Sequence, residues 1–266
     1  MKIDIESNIL KHYLRNVYFI TGTAYAGKST MVRMLADRCG MIFCGENYHH
    51  YILPEGLLDP QIQPNLCYFE TMESWQAFVN RTPEEYEAWV SGGSRESTDI
   101  EIAELLRLSA DGRKIIVDTN IPLPILHAIS DYSRVAVMLS PCSMSVERFF
   151  DRSDEEKQFL LSQIQAADNP DATMANFRAC IARINSPGAL RRICKQWVFH
   201  HCARGYADGY PGGNACGAHA PFRVGAVRID AGEHAMKRKK RAFALQPVEK
   251  WRTATFSGFR RRFLLL

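Results

Sequence analysis

Residues 18–36 read YFITGTAYAGKSTMVRMLA. Within them Gly22-Thr23-Ala24-Tyr25-Ala26-Gly27-Lys28-Ser29 fits G-x-x-x-x-G-K-[ST], the pattern of a phosphate-cradling loop. Its surroundings suit that role. The preceding NVYFITG is apolar and rich in β-branched and aromatic residues, as a buried parallel strand requires. The following KSTMVRMLADRCG sets Met31, Met34 and Leu35 at helical spacing, with Gly40 as a C-cap. In such a loop the glycines let backbone N–H groups turn toward phosphates, and the helix N-terminus adds partial positive charge. Lys28 would reach the β- and γ-phosphates, and the Ser29 hydroxyl would sit on Mg²⁺.

Three more strands are expected further on. MIFCGENYHHYI (41–52) is a strand with a polar end, RKIIVDTNIP (113–122) runs three apolar residues into Asp118, and SRVAVMLSP (133–141) stops at Pro141. DIEIAELLRLSADG (99–112) reads as a helix with Ile100, Ala103 and Leu106 on one face. Strands alternating with helices predict a parallel α/β sheet with ligands at the carboxyl ends of its strands. Candidate sites are Gly22–Ser29, Glu46–His50, Asp118–Asn120 and the segment after Leu139. Asp118 is expected to hold Mg²⁺ directly or through water, although it could instead contact the acceptor.

SPCSMSVERFFDRSDEEKQFLLSQI (140–164) places Arg148 and Arg152 one helical turn apart, among acidic residues. The pair fits either a solvated helix or a lid closing on phosphates. Together, GTAYAGKST, IIVDTN and VAVMLSPCSMSVERFFDR give the body a resemblance to the nucleoside-monophosphate-kinase-like P-loop phosphotransferases, which include adenylate, cytidylate, shikimate and gluconate kinases. The resemblance covers most of residues 16–165. It implies a three-layer P-loop kinase fold with a parallel sheet, a helical acceptor insert at about 46–100 and a lid at about 141–165. It further implies ATP on Gly22, Thr23, Ala24, Tyr25, Ala26, Gly27, Lys28, Ser29 and Thr30, with Mg²⁺ on Ser29 and Asp118. Lys28, Asp118, Glu46, Arg148 and Arg152 would then carry catalysis, and the partner would be a small-molecule or nucleotide acceptor.

The chain departs from those families at the second strand. No Asp-x-Asp ends it; Gly45-Glu46-Asn47 stands there, so neither a shikimate nor a nucleoside-monophosphate site can be read off. Glu46 could serve as general base, and His49 and His50 could bind an anionic acceptor. Residues 64–97 hold Tyr68, Phe69, Trp75, Phe78, Tyr86 and Trp89, a set that more often packs a subdomain than lines a pocket. TPEEYEAW starts a helix, with Thr82 as N-cap and Pro83 first. Arg95 is expected on a flexible GGSRES loop as an acceptor-anion contact.

The net charge of +4 conceals a break. Residues 1–187 carry 17 Lys and Arg against 25 Asp and Glu, whereas residues 188–266 carry 16 against 4. The basic tail reads as a nucleic-acid arm around Lys237–Arg241, as a zinc site from His200, His201, Cys202, Cys216 and His219, or as out-of-frame sequence. The third explains most. One extra nucleotide near Pro187-Gly188 would produce the break, and Met236-Lys237 then forces a stop codon in the shifted frame. Residues 188–266 are therefore expected to be irregular, and no nucleic-acid partner is expected. The 8 cysteines form no C-x-x-C pair and read as free cytoplasmic thiols. No apolar run reaches the length of a membrane span, and the first residues do not read as a secretory signal. Two other classes remain: an AAA-type ATPase acting on a partner, which should carry Glu after Asp118, and a nucleic-acid binder acting through the tail.

Overall fold

The computed structural model describes residues 4–151, 155–186 and 199–202. The elements in chain order are α1 (Ser7–Tyr13), β1 (Val17–Gly22), α2 (Lys28–Cys39), β2 (Ile42–Cys44), α3 (Tyr68–Thr71), α4 (Trp75–Val79) and α5 (Pro83–Ser109). There follow β3 (Ile115–Asp118), α6 (Leu123–Ile129), β4 (Val135–Leu139), α7 (Cys142–Glu147), α8 (Glu155–Gln165), α9 (Pro170–Ile184) and β5 (Phe199–Cys202). A 3-10 turn, Tyr48–Ile52, follows β2.

All strand pairs are parallel, in the order β2-β3-β1-β4, with β5 added beside β4. Alternate residues of each central strand enter different cores. Val17, Phe19, Ile115, Val117, Val135 and Val137 pack with Leu14, Leu105, Leu126 and Ile129, under α5 and α6. Tyr18, Ile20, Ile116, Ala136 and Met138 pack with Val32 and Ala36 of α2. Both faces of the sheet are therefore covered, which makes three layers and accounts for the continuous apolar runs of β1, β3 and β4.

A third core is all-helical. Phe69, Phe78, Tyr86 and Trp89 join Phe149, Leu160, Ile164 and Phe177 there. The aromatic set of residues 64–97 thus packs as core. The segments expected to form insert and lid share it, together with α9.

Two expectations change at α5. The helix is 27 residues long and runs through GGSRES, so Arg95 lies on a helix and its Nε donates to the Ser91 carbonyl at 3.3 Å. The helix continues because Gly92 allows a close approach: a Cβ there would stand 2.3 Å from Asn65 Nδ2. Asn65 is in turn gripped by Glu96 and receives the Trp89 indole N–H at its carbonyl. The buried row of α5 is also not Ile100-Ala103-Leu106. Tyr86, Trp89, Gly93, Ser97, Glu101 and Leu105 turn inward instead. Thr82 caps the helix as expected, in a reciprocal box with Glu85.

The tail differs from expectation at Phe199–Cys202, which form an edge strand in register with Ala136–Leu139. The remaining residues of 188–266 lie outside the described ones, as do the basic runs and two of the proposed zinc ligands, Cys216 and His219.

Candidate phosphate-binding site

β1 delivers the loop Thr23–Gly27 to the N-terminus of α2. Gly22 has φ +133°, and a Cβ there would fall 1.8 Å from the Met138 carbonyl oxygen. Only glycine lets β1 turn this close to β4. The turn is braced from β4: Thr23 N–H donates to the Met138 carbonyl at 3.0 Å, and Ser140 N–H donates to Thr23 Oγ1 at 2.7 Å. Ser140 Oγ and Ser145 Oγ both donate to the Ala24 carbonyl. Tyr25 sits at φ 63°, a conformation that costs a bulky residue energy. Its hydroxyl donates to the Arg148 carbonyl at 2.6 Å, tying the loop to the start of the expected lid. Gly27 is the N-cap of α2 and supplies no side-chain cap, so the first amides of that helix keep their donors for a ligand.

Strand order then matters. Because β3 lies against β1, Asp118 stands beside the cradle, paired in register with Ile20. Ser29 Oγ donates to Asp118 Oδ2 at 2.7 Å. Lys28 Nζ lies 3.9 Å from Asp118 Oδ1, an attraction between charges but too long for a hydrogen bond. Lys28 Nζ also approaches the Thr23 carbonyl at 3.4 Å. Asp118 is 1% exposed, and its Oδ1 has no hydrogen-bond partner. Burial pushes its carboxyl above the ordinary range; Lys28 opposes that, the Glu46 charge adds to it, and the Ser29 bond opposes it.

Glu101 is a residue that sequence reasoning missed. It is 1% exposed, accepts the Thr119 hydroxyl on Oε2 at 3.0 Å, and leaves Oε1 unpartnered. Burial raises its carboxyl to about 8; the Thr119 bond opposes this, while the Asp118 and Glu46 charges add to it. Thr119 Oγ1 also receives the Ile121 N–H at 3.0 Å, so Glu101 braces the turn that leaves β3. The available signal was the i, i+4 row ending at Leu105, which places position 101 inside.

Glu46 is exposed at the end of β2, and Asn120 Nδ2 donates to it at 3.3 Å. Asp118 thus reaches the cradle through Ser29 and Lys28, while Asn120 joins the end of β3 to Glu46. The rings of His49 and His50 lie tilted at 42° with centroids 4.3 Å apart, and none of their four ring nitrogens has a hydrogen-bond partner. Burial lowers His49 to about 3 and His50 to about 4, the His50 ring adding to the fall at His49. Burial thus favours the neutral form of both rings.

Of the two lid arginines, Arg148 is among the described residues. α7 ends at Glu147, and Arg148 is its exposed C-cap. The chain turns there to bury Phe149 against Phe177. Arg152 lies outside the described residues. Among the described residues no helix is long and apolar enough to cross a membrane, and no cluster of His, Cys, Asp and Glu could hold a metal by itself. Cys39, Cys44, Cys67, Cys142 and Cys180 are free thiols. Comparison with family models, curated proteins and solved structures finds no match.

Proposed function

We propose that the protein is an ATP-dependent phosphotransferase acting on a small-molecule or nucleotide acceptor. The observation carrying this reading is the contact of Lys28 and Ser29 with buried Asp118, beside a glycine turn at a helix N-terminus. These residues fit a magnesium–nucleotide. Asp118 has an orphaned buried oxygen for the ion or its water, Ser29 a hydroxyl facing Asp118, and Gly27 a helix start without a side-chain cap. Bound there, Mg²⁺ supplies charge neutralisation across the β- and γ-phosphates.

The residues of the chain would do the rest. The loop amides and Lys28 bind and orient phosphate oxygens. Glu46, exposed at the strand end and bonded to Asn120, is placed to take the acceptor hydroxyl proton. Asp118 holds Ser29 and Lys28 in place before nucleotide arrives. Arg148 follows Tyr25 through the hydroxyl–carbonyl bond, which makes its position sensitive to the state of the loop.

An ATPase acting on a partner would need a carboxylate after Asp118. Thr119 stands there, with its hydroxyl committed to Glu101. The test is calorimetry of Mg·ATP on the wild type and Lys28→Ala. We expect micromolar-range binding to fall by at least about a hundredfold, the loss of a charge-assisted contact (~3 kcal/mol). Equal affinities would overturn the cradle assignment. Labelled ATP with an acceptor panel then separates transfer from plain hydrolysis.

A further inference from the structure

The inward row of α5 carries a group that packing does not explain. Trp89, Gly93, Ser97, Glu101 and Leu105 follow one another at i, i+4, and Leu105 enters the core under the sheet. Glu101 stands one turn before it, fully buried, with Oε1 unpartnered. A buried oxygen without a partner costs about 1–3 kcal/mol, a cost that an apolar side chain at this position would not carry. The other oxygen accepts the Thr119 hydroxyl at 3.0 Å. Helix α5 therefore spends an unfavourable side chain on one contact, and that contact lies between two residues of the site.

Thr119 is held by backbone and side chain alike. Its N–H donates to the Ile20 carbonyl at 2.9 Å, extending the ladder between β3 and β1. Its Oγ1 accepts the Ile121 N–H at 3.0 Å, so the hydroxyl proton is directed to Glu101. Side chains alternate along an extended chain. Ile115 and Val117 enter the core under α5, and Thr119 continues that side. Ile116 packs toward α2, and Asp118 continues the other side to meet Ser29 and Lys28. Asn120 comes next and donates to Glu46 Oε1 at 3.3 Å and to Asn47 Oδ1 at 3.4 Å. The carboxylate facing the cradle and the amide that reaches Glu46 thus flank a single residue, whose side chain α5 holds.

We propose that Glu101 is a positioning residue of the nucleotide site: through the Thr119 hydroxyl it fixes the exit of β3, and so sets Asp118 for the magnesium ion and Asn120 for Glu46. It acts through Thr119 and not by contact with the nucleotide. This rests on the phosphotransferase reading and adds a residue on a distant helix to it. Without the carboxylate the Thr119 hydroxyl proton loses its acceptor, the turn 118–121 loosens, and Asp118 grips the ion less well. The loop amides and Lys28 are set by β1, β4 and α2, so their hold on ATP should persist.

The test is calorimetry on the full chain with ATP, once with Mg²⁺ and once with the metal removed by EDTA. The ratio of the two affinities reports the grip on the ion. Glu101→Leu and Thr119→Val should each cut that ratio about fivefold or more, the worth of one hydrogen bond, while metal-free ATP affinity changes less than about twofold. The double variant should lose no more than either single one, because both remove the same bond. Glu101→Gln keeps an acceptor for the hydroxyl and should hold the wild-type ratio. Thr119→Val is nearly isosteric and decides the matter if Glu101→Leu does not fold. An unchanged ratio in Thr119→Val overturns the proposal. So does an equal loss with and without metal, which is the mark of a purely structural role, and so does a wild type in which Mg²⁺ adds nothing. A wild type that binds no ATP overturns the phosphotransferase reading and the proposal with it; Mg²⁺-strengthened binding that survives in the variants overturns the proposal alone.

Discussion

Among the described glycines, Gly22 has the tightest surroundings. A methyl group there would overlap the Met138 carbonyl, and φ +133° is closed to side chains. Gly22→Ala should therefore push β1 and β4 apart, with loss of cooperative thermal unfolding or a fall in Tm of more than about 10 °C, since ~3 kcal/mol is a modest charge for such a clash. A normal Tm would show that the loop relaxes freely. Titration at Glu101, His49 and His50 contributes to the pH dependence of stability. Glu101 holds its proton to about pH 8 when folded but only to about 4.5 as a free carboxyl, so its contribution falls as pH rises between those values. His49 and His50, depressed to about 3 and 4 from 6.5, contribute stability that is lost as pH falls below 6.5. The two effects oppose each other below about pH 6.5, and above it the loss at Glu101 dominates, with a slope below the ~1.4 kcal/mol per pH unit of one full proton. Glu101→Gln keeps an acceptor for the Thr119 hydroxyl and should flatten the alkaline limb in urea melts; an unchanged limb would exclude Glu101 as its source. Asp118 was legible in sequence because a strand ends on it. Glu101 was not, because a carboxylate inside an apolar helix row looks like a surface charge until the partner Thr119 is seen.

At the scale of elements, α5 joins two cores. Its first turns place Tyr86 and Trp89 among the helical aromatics, and its last turns place Leu105 against the sheet. The start of this helix was legible: Thr82, Pro83 and Glu85 form the box that the local sequence implies, and Thr82→Ala should cost about 1 kcal/mol in chemical denaturation. Its length was not legible, because two adjacent glycines read as a break when the neighbour that crowds Gly92, Asn65, is far away in the chain. Phe78 lies at the centre of the helical core, fully buried and ringed by Tyr68, Phe69, Trp89 and Phe177. Phe78→Ala should cost ~3–5 kcal/mol by calorimetry. The same core buries Phe149, Leu160 and Ile164, so the substitution should also loosen the segment after Arg148, seen as faster hydrogen exchange in α8. Exchange confined to α4 would show that the shared core does not couple them.

At the scale of the whole molecule, the central sheet was read correctly from four apolar runs and the Gly-Lys-Ser loop, because parallel strands buried on both faces have few other spellings. The tail was read as irregular from its composition, yet Phe199–Cys202 complete the sheet beside β4. Removing residues 188–266 should expose the β4 edge, lower Tm and promote association visible by light scattering. An unchanged, monomeric body would mean that the pairing with β5 contributes nothing. The order of the strands also bears on how the chain is made. β1, which carries the cradle, pairs Val17 with Ile115 and Phe19 with Val135. Both neighbours emerge from the ribosome roughly a hundred residues after it, and contacts so distant in sequence form slowly. The nucleotide loop is therefore synthesised early and assembled late. Through most of translation its hydrophobic strand has no mate, which makes nascent β1 the segment of this chain most in need of a chaperone.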